Sequence, residues 1–414
     1  MVLEYKFKSL NRLFNNYSLK QKPYILVKPV IIFMVYQPLE DSLLLMKYID
    51  KYSKGSVLDI GTGSGVLAVE AAKNAETVVG VDIDEKAIKY CKKNVKDEKI
   101  RFFKGNLFKD VKGKFDLIVF NPPYLPKDKE DKDIAHCGGK HGYEVVERFI
   151  REVGDYLEPD GKVLLLFSSL TNKEKVDGFV KENLLGFELL EEKSFFFEKL
   201  YVYLLWKSEI LVELEKRFEK IKFLERGHRG MLFTGKFDGK KVAIKVKNPE
   251  SEAIERIGNE RNWLERLNNR GIGPKLLVKE KEYFAYRFVE GEFILDFLGR
   301  ACKRDIVKVI TAVFEQLFVL DKLGVNKEEM HHPVKHVIVG KNLKVTLLDF
   351  ERCHRSLKPK NVTQFCQFVC LKKVSELLKK KKIKISMKKM IKSAKMYKGE
   401  MSEESLEGIL ENIK

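Results

Sequence analysis

From residue 34 to about 207, short apolar runs alternate with amphipathic stretches. Residues 56–60 (Ser-Val-Leu-Asp-Ile) and 77–81 (Thr-Val-Val-Gly-Val) are β-branched and apolar, the pattern of strands buried on both faces. A glycine-rich turn at 61–65 leads from the first strand into a helix over 66–74, and a second helix is predicted over 85–95. Strands follow at 100–103 and 115–120. An amphipathic helix over 144–157 stops at the turn signal Pro159-Asp160-Gly161. A buried strand at 162–167 and an antiparallel hairpin over 194–206 complete the unit. Strands alternating with helices in this way predict a parallel sheet covered by helices on both faces.

The pattern then changes. Residues 208–225 read as a charged amphipathic helix joining two halves, and no Gly/Ser/Pro linker separates them, so the halves are expected to touch. A β-meander is predicted over 231–246, a long helix over 252–268, strands around 283–289 and 337–348, and mostly helix after 357. The expected organisation is a basic extension at 1–33, an α/β domain at 34–207, the linker helix, an α+β domain at 226–372 and a lysine-rich helical tail at 373–414. Met34 opens the first patterned segment, so the natural start is expected at Met1 or at Met34.

Composition adds limits. The 414 residues, 44% of them hydrophobic, suffice for two ordinary cores. A formal charge of +19, concentrated in the lysines of 372–398, suits an anionic partner such as RNA or a ribosomal complex, and equally a solvated helix face. The six cysteines form no metal-ligand pairs at short spacing and read as reduced thiols. No apolar run approaches the ~20 residues of a membrane span, and no signal peptide is legible, so a cytoplasmic protein is expected.

Candidate chemistry begins at Val57-Leu58-Asp59-Ile60-Gly61-Thr62-Gly63-Ser64-Gly65, a strand entering a glycine turn and then a helix. Glycines such as Gly61 and Gly63 let the backbone approach a ligand, and the helix start offers free N–H groups. The next strand ends near Asp82, about 20 residues on, where a carboxylate can take both hydroxyls of a ribose. Asp59 would repel a pyrophosphate but suits a cationic amino-acid moiety. Asn106 and Leu107 follow the third strand, where Asn106 can bond an exocyclic amine and Leu107 can pack on an adenine ring. These residues predict a nucleoside cofactor carrying a positive charge.

Asn121-Pro122-Pro123-Tyr124 stands at the C-terminal end of the strand 115–120, the edge where open α/β sheets bind ligands. The prolines stiffen the backbone, so the Asn121 side chain and the Pro122 carbonyl hold fixed directions. Both can accept hydrogen bonds from an –NH2 group while Tyr124 covers its flat face. An amide or aromatic amine nitrogen is a poor nucleophile because its lone pair is delocalised. Drawing its hydrogens out of plane beside a methyl donor is catalysis by positioning and electrostatics.

With these motifs the chain resembles the class I, S-adenosylmethionine-dependent methyltransferases over roughly 34–207, and specifically the HemK-type release-factor glutamine methyltransferases. Val35-Tyr36-Gln37-Pro38-Leu39-Glu40-Asp41-Ser42 is similar to the Tyr-x-Pro-x-Glu-Asp-Ser/Thr segment of their short archaeal and eukaryotic branch. The resemblance implies a Rossmann-like sheet domain and N5-methylation of the glutamine in the Gly-Gly-Gln loop of a class I translation release factor. It also implies a small zinc-binding partner subunit of the Trm112 type. By position, Ser42, Asp59, Gly61, Asp82, Asn106 and Leu107 would hold the cofactor and Asn121 the substrate amide. Residues 127–133 would be a charged lid, and Gly138-Gly139-Lys140-His141-Gly142 the glycine-rich segment after it. The same Asn-Pro-Pro-Tyr motif serves enzymes acting on adenine N6 or guanine N2, which remains the alternative for a basic chain.

In the second half, Arg226-Gly227-His228-Arg229-Gly230 precedes Val242-Ala243-Ile244-Lys245, reading as a glycine-rich loop over phosphates and then a strand lysine. Glu260 is placed to pair with Lys245, Glu290 lies in a candidate adenine hinge, and Asp349 follows an apolar strand as a Mg2+ ligand would. The order resembles RIO-type and related archaeal atypical kinases over roughly 220–370, implying a protein-kinase-like domain that binds ATP and Mg2+. Where those kinases carry His-Arg-Asp, residues 326–336 hold no aspartate. Glu329 is then the candidate base and His336 a second metal ligand. A noncatalytic docking module is the alternative.

Overall fold

The computed structural model describes residues 40–123, 125–126, 137–195, 198–227, 230–248 and 256–413. The expectations for Met34, the segment 35–39, Tyr124, the lid 127–133, His228 and Arg229 lie outside the described residues.

The first half runs α1 (Glu40–Tyr52), β1 (Ser56–Ile60), α2 (Val66–Ala72), β2 (Thr77–Asp82), α3 (Glu85–Asn94), β3 (Ile100–Lys104) and β4 (Phe115–Phe120). Two short strands, β5 (Leu125–Pro126) and β6 (Cys137–Gly139), pair with each other. Then come α4 (Glu144–Tyr156), β7 (Leu157–Ser168), α5 (Lys173–Glu182), β8 (Leu185–Ser194) and β9 (Lys199–Lys207). The seven-stranded sheet has the order β3-β2-β1-β4-β7-β9-β8. Strands β3, β2, β1, β4 and β7 are mutually parallel, and β9 runs antiparallel to both β7 and β8. The order reverses between β1 and β4, so the Gly-rich turn after β1 and the Asn-Pro-Pro corner after β4 open on the same crevice. Pairing of Ile60 with Phe120 and Val81 brings the three strand ends level.

The hairpin turn falls after Ser194, so β8 precedes it and was concealed in the sequence. At the sheet edge its Gly-Phe-Glu-Leu-Leu-Glu-Glu-Lys run is mostly solvent-facing and shows no apolar alternation.

The helix expected over 208–225 is corrected. Only α6 (Glu209–Glu215) is helical, and β10 (Glu219–Arg226) follows it. Alternation at Ile221, Phe223 and their polar neighbours has the period of a strand, and β10 pairs with the next strand of the second unit. That sheet contains β11 (Gly230–Phe237), β12 (Lys240–Lys247), β13 (Leu276–Lys279) and β14 (Tyr283–Arg287) in the order β10-β11-β12-β14-β13, with α7 (Arg256–Asn268) between β12 and β13. A helical layer follows: β15 (Glu292–Phe293), α8 (Ile294–Arg300), α9 (Lys303–Lys322), β16 (Val325–Asn326), β17 (Val337–Val339), β18 (Val345–Leu347), β19 (His354–Arg355), α10 (Asn361–Cys370), α11 (Lys372–Lys380), α12 (Met387–Glu400) and α13 (Glu403–Leu410).

The lysine-rich segment is part of this layer. Val374, Leu378, Ile383, Met390, Tyr397, Leu406 and Ile409 are buried in one cluster with Phe314 of α9 and Phe365 of α10. Its lysines are the solvent side of core-packed helices. The two halves also share a core: Ile150 and Val153 of α4 cluster with Leu211, Leu214, Phe218, Phe233 and Tyr283. Among the described residues, no helix is long and apolar enough to cross a membrane.

Candidate active site

The turn after β1 needs its glycines. Gly61, Gly63 and Gly65 have φ of 68°, 53° and 80°, where a side chain is strained. The Gly61 and Thr62 N–H groups donate to the Val81 carbonyl, at 2.7 and 3.0 Å, fastening the turn to the end of β2. Across the turn, the Gly63 N–H donates to Asp82 Oδ2 at 2.8 Å, and the Asp84 N–H donates to Asp82 Oδ1 at 2.8 Å. Burial raises the Asp82 pKa, and these backbone donors hold it down. Its oxygens retain lone pairs for two ribose hydroxyls.

Asp59 is 1% exposed at the end of β1. Thr62 Oγ1 donates to its Oδ2 at 2.6 Å, while Oδ1 is buried with no hydrogen-bond partner among the described residues. Burial pushes its pKa up to about 7, opposed by the Thr62 hydrogen bond and reinforced by Asp82. An orphaned carboxylate oxygen in an anionic crevice fits a cationic ligand group, as the α-ammonium of S-adenosylmethionine would be. Thr62 had no role in the sequence reading; a hydroxyl three residues after a buried acid was the available signal.

Leu107 is buried and has φ of 53°, turning the chain after β3. Asn106 is exposed, and its Oδ1 accepts from Arg148 Nη2 at 3.2 Å. An adenine amine would therefore share that oxygen with Arg148. Ser42, 2% exposed, opens α1, and its N–H donates to Asp41 Oδ1 at 2.7 Å.

Asn121 sits directly after β4, with Pro122 buried behind it. Its Nδ2 donates to Asp41 Oδ2 at 3.1 Å, and its Oδ1 is buried without a partner among the described residues. Asp41 belonged to the quoted motif, but nothing in the sequence placed it against Asn121, eighty positions away.

A parallel sheet with one antiparallel hairpin, reversing beside a glycine turn flanked by the Asp59 and Asp82 carboxylates, defines a class I S-adenosylmethionine-dependent methyltransferase. Comparison with known proteins agrees. Residues 32–197 match the family described as Methyltransferase small domain. A Methanocaldococcus jannaschii protein, described as a candidate protein N5-glutamine methyltransferase, is 42% identical over 183 residues, which are 42% of this chain and 92% of that protein. The release factor glutamine methyltransferase of Streptococcus pneumoniae is 33% identical over 124 residues, 27% of this chain and 44% of that enzyme. The chain thus spans under half the length of that bacterial relative. A solved E. cuniculi Mtq2–Trm112 complex, responsible for methylation of the eRF1 termination factor, matches 42% of this chain and 98% of its own at 27% identity and a TM-score of 0.36. Through its N-terminal half, the chain belongs to the HemK-type protein glutamine methyltransferase family.

A second group of charges lies in the other half. Lys245 on β12 is 2.5 Å from Glu260 of α7 and 3.6 Å from Glu351. Burial opposes its charge, but Glu260 and Asp349 outweigh burial and raise its pKa. Asp349, with φ of 60°, follows β18. Burial works against its ionisation, yet Lys245, Lys327 and His336 hold its pKa low. His336 Nε2 lies 3.7 Å from Glu329 Oε2 and 3.9 Å from Asp349 Oδ2. Burial, then Lys327, lowers the His336 pKa. Glu329 is paired with Arg352. Sequence reading missed Lys327, which is 2% exposed and donates from Nζ to the Asp349 carbonyl at 2.7 Å. Glu290 is exposed in the segment between β14 and β15. Glu329, His336 and Asp349 thus converge with Lys245 and Glu260 on one centre, and Glu290 stands apart from it among the contacts described.

Proposed function

We propose that the first half transfers a methyl group to N5 of the glutamine in the Gly-Gly-Gln loop of a class I translation release factor. The observation that carries the reading is the buried, unpartnered Asn121 Oδ1 at the end of β4. S-adenosylmethionine supplies an electrophilic methyl group on a sulfonium. Asp82 would hold the ribose and Asp59 the ammonium end, while the Gly61–Gly65 turn would admit the ligand close to the backbone. Asn121 Oδ1 and the Pro122 carbonyl accept from the two amide hydrogens. The nitrogen lone pair is thereby drawn out of conjugation with the carbonyl and aimed at the methyl carbon. Tyr124 covers the amide plane in this reading. As the N–C bond formed, the sulfonium S–CH3 bond would break and its electron pair would leave with the sulfur as a neutral thioether. The nitrogen would gain the positive charge, and its acidified N–H would pass its proton along the bonds to these acceptors and on to water. No strong base is needed.

The test is methyl transfer from labelled cofactor to a release factor, wild type against Gln→Ala in its Gly-Gly-Gln loop. Label on the wild-type factor alone is expected. Equal label on both ends the glutamine reading, and label on RNA or DNA instead would support the adenine or guanine amine. The short-branch resemblance adds a Trm112-type zinc-binding subunit as partner, to be included in the assay.

For the second half, the convergence of Lys245, Glu260 and Asp349 beneath the β10–β11 hairpin supports a kinase-like domain for ATP with Mg2+. Asp349 and Glu329 offer oxygens to the metal, and His336 stands beside both. Glu329 is the candidate base in this reading, and its pairing with Arg352 would first have to open.

A further inference from the structure

We infer that Asp41 is the positioning residue that decides which end of the Asn121 side-chain amide meets the substrate. The inference rests on the reading of Asn121 as the group that grips an –NH2, and it extends that reading to substrate choice.

A side-chain amide has two chemically opposite ends of nearly equal size, an acceptor oxygen and a donor nitrogen. At a corner stiffened by Pro122 and Pro123, rotation by half a turn about the last side-chain bond exchanges them without disturbing the backbone. Something must therefore select one orientation. An ionised carboxylate only accepts, and Asp41 Oδ2 lies 3.1 Å from Asn121 Nδ2. Its other oxygen receives the Ser42 N–H at 2.7 Å, which fixes the carboxylate on the first turn of α1. Asp41 is 5% exposed, so water does not replace it as a partner for Asn121. The flipped amide would set oxygen against oxygen at that distance. Loss of one charge-assisted bond corresponds to a preference of roughly tenfold to a hundredfold for the observed orientation.

The consequence appears at the opposite end of the amide. Asn121 Oδ1 is buried with no partner among the described residues. A buried acceptor left without a donor is unfavourable, and the local contacts persist because Asp41 holds the nitrogen. An incoming group satisfies that oxygen only if it carries a donor, N–H or O–H. An amide or aromatic amine does; a carboxylate presents a further acceptor and is repelled. Asp41 thus makes the site refuse glutamate while admitting glutamine, and it does so without touching the substrate.

The experiment uses the full chain with 15N-labelled asparagine, the Asn121 side-chain resonance being identified by its loss in Asn121→Ala. In the wild type, the Asn121 NH2 protons should exchange slowly with solvent. In Asp41→Leu and Asp41→Asn, exchange should quicken at least tenfold, while cofactor affinity by calorimetry stays within about twofold. With glutamine substrate, kcat should fall roughly tenfold to a hundredfold in both variants with KM little changed, and Asp41→Glu should recover part of it. Unchanged exchange and unchanged kcat in Asp41→Asn would overturn the inference, whatever the acceptor proves to be. Wild-type protein that shows the protected amide but methylates no glutamine would overturn only the substrate reading. Cofactor binding lost in every variant would instead make Asp41 a structural residue and overturn the positioning role.

Discussion

At the glycine turn after β1 and the Asn-Pro-Pro corner after β4, three buried polar atoms have no partner among the described residues: Asp59 Oδ1, Ser64 Oγ and Asn121 Oδ1. In the second centre the charged groups already hold one another, Lys245 with Glu260, Lys327 with the Asp349 carbonyl, Glu329 with Arg352. The first is unfinished without a ligand, each orphan costing about 1–3 kcal/mol that a matching group would recover. The second is largely paired from within. Its cations are Lys245, Lys327 and Arg352, and its carboxylates are Glu260, Glu329, Asp349 and Glu351. With His336 neutral the carboxylates outnumber the cations by one, so a polyphosphate is repelled unless a divalent cation enters with it. An unsatisfied buried atom states the chemistry of its missing partner directly; a self-paired cluster states only its net sign.

The largest effect is expected at Asn121, whose missing partner is the substrate amide on the proposed function. Asn121→Ala would then remove an acceptor aimed at the developing positive charge, and loss of one such electrostatic contact lowers kcat by roughly a hundredfold to a thousandfold. Cofactor affinity should stay within about twofold, because among the described residues the Asn121 side chain bonds Asp41 and makes no hydrogen bond to the β1 or β2 turns. Steady-state kinetics with calorimetric cofactor titration checks both. An unchanged kcat would mean that the orphaned oxygen in the first centre is incidental, and the contrast with the second would lose its meaning.

The second centre breaks the comparison from the other side. ATP with excess chelator should bind neither wild type nor Lys245→Ala. ATP with Mg2+ should stabilise the wild type in a thermal titration, and Lys245→Ala should weaken that binding by about tenfold or more, the worth of one charged hydrogen bond. Metal-free ATP binding as tightly as Mg-ATP would show that the balance of carboxylates over cations does not govern entry.

The unequal legibility of the two centres has the same origin. In the first half, local rules placed the chemistry. Three glycines at positive φ can stand only at a turn, Asp82 ends a strand by period, and the two prolines announce a rigid corner. What stayed hidden was long-range. Asp41 meets Asn121 only because α1 folds over the end of β4, and Arg148 reaches Asn106 from α4. Edge strand β8 escaped notice because solvent covers most of it, and β10 because its charges imitate a helix surface. In the second half Lys245 and Glu260 were read from spacing and do pair. Lys327 was not, since a lysine among Asn326, Glu328 and Glu329 looks like any surface charge. Its burial depends on β16 and on Asn361, whose side chain accepts from the Lys327 N–H at 2.7 Å.

The smallest effect concerns Asp59, and it sharpens the comparison because it titrates an orphan. The carboxyl has its pKa pushed up to about 7, chiefly by burial, from an ordinary value near 4. Between those values the folded, ligand-free protein holds a proton that the unfolded chain has released. By this group alone, stability is therefore greatest below pH 4 and declines as pH rises toward 7. Ligand affinity has the opposite slope. A cationic group pairs with the carboxylate and not with the neutral acid, so affinity for S-adenosylmethionine should weaken roughly fivefold from pH 7 to pH 6, as the ionised fraction falls. Calorimetry in two buffers of different ionisation enthalpy should register proton release on binding at pH 6. Asp59→Asn should bind more weakly at pH 7 and show neither the slope nor the proton. A wild-type affinity flat from pH 6 to 7 would mean that Asp59 is ionised in the empty site, its Oδ1 already matched by water. The first centre would then be as self-satisfied at that point as the second.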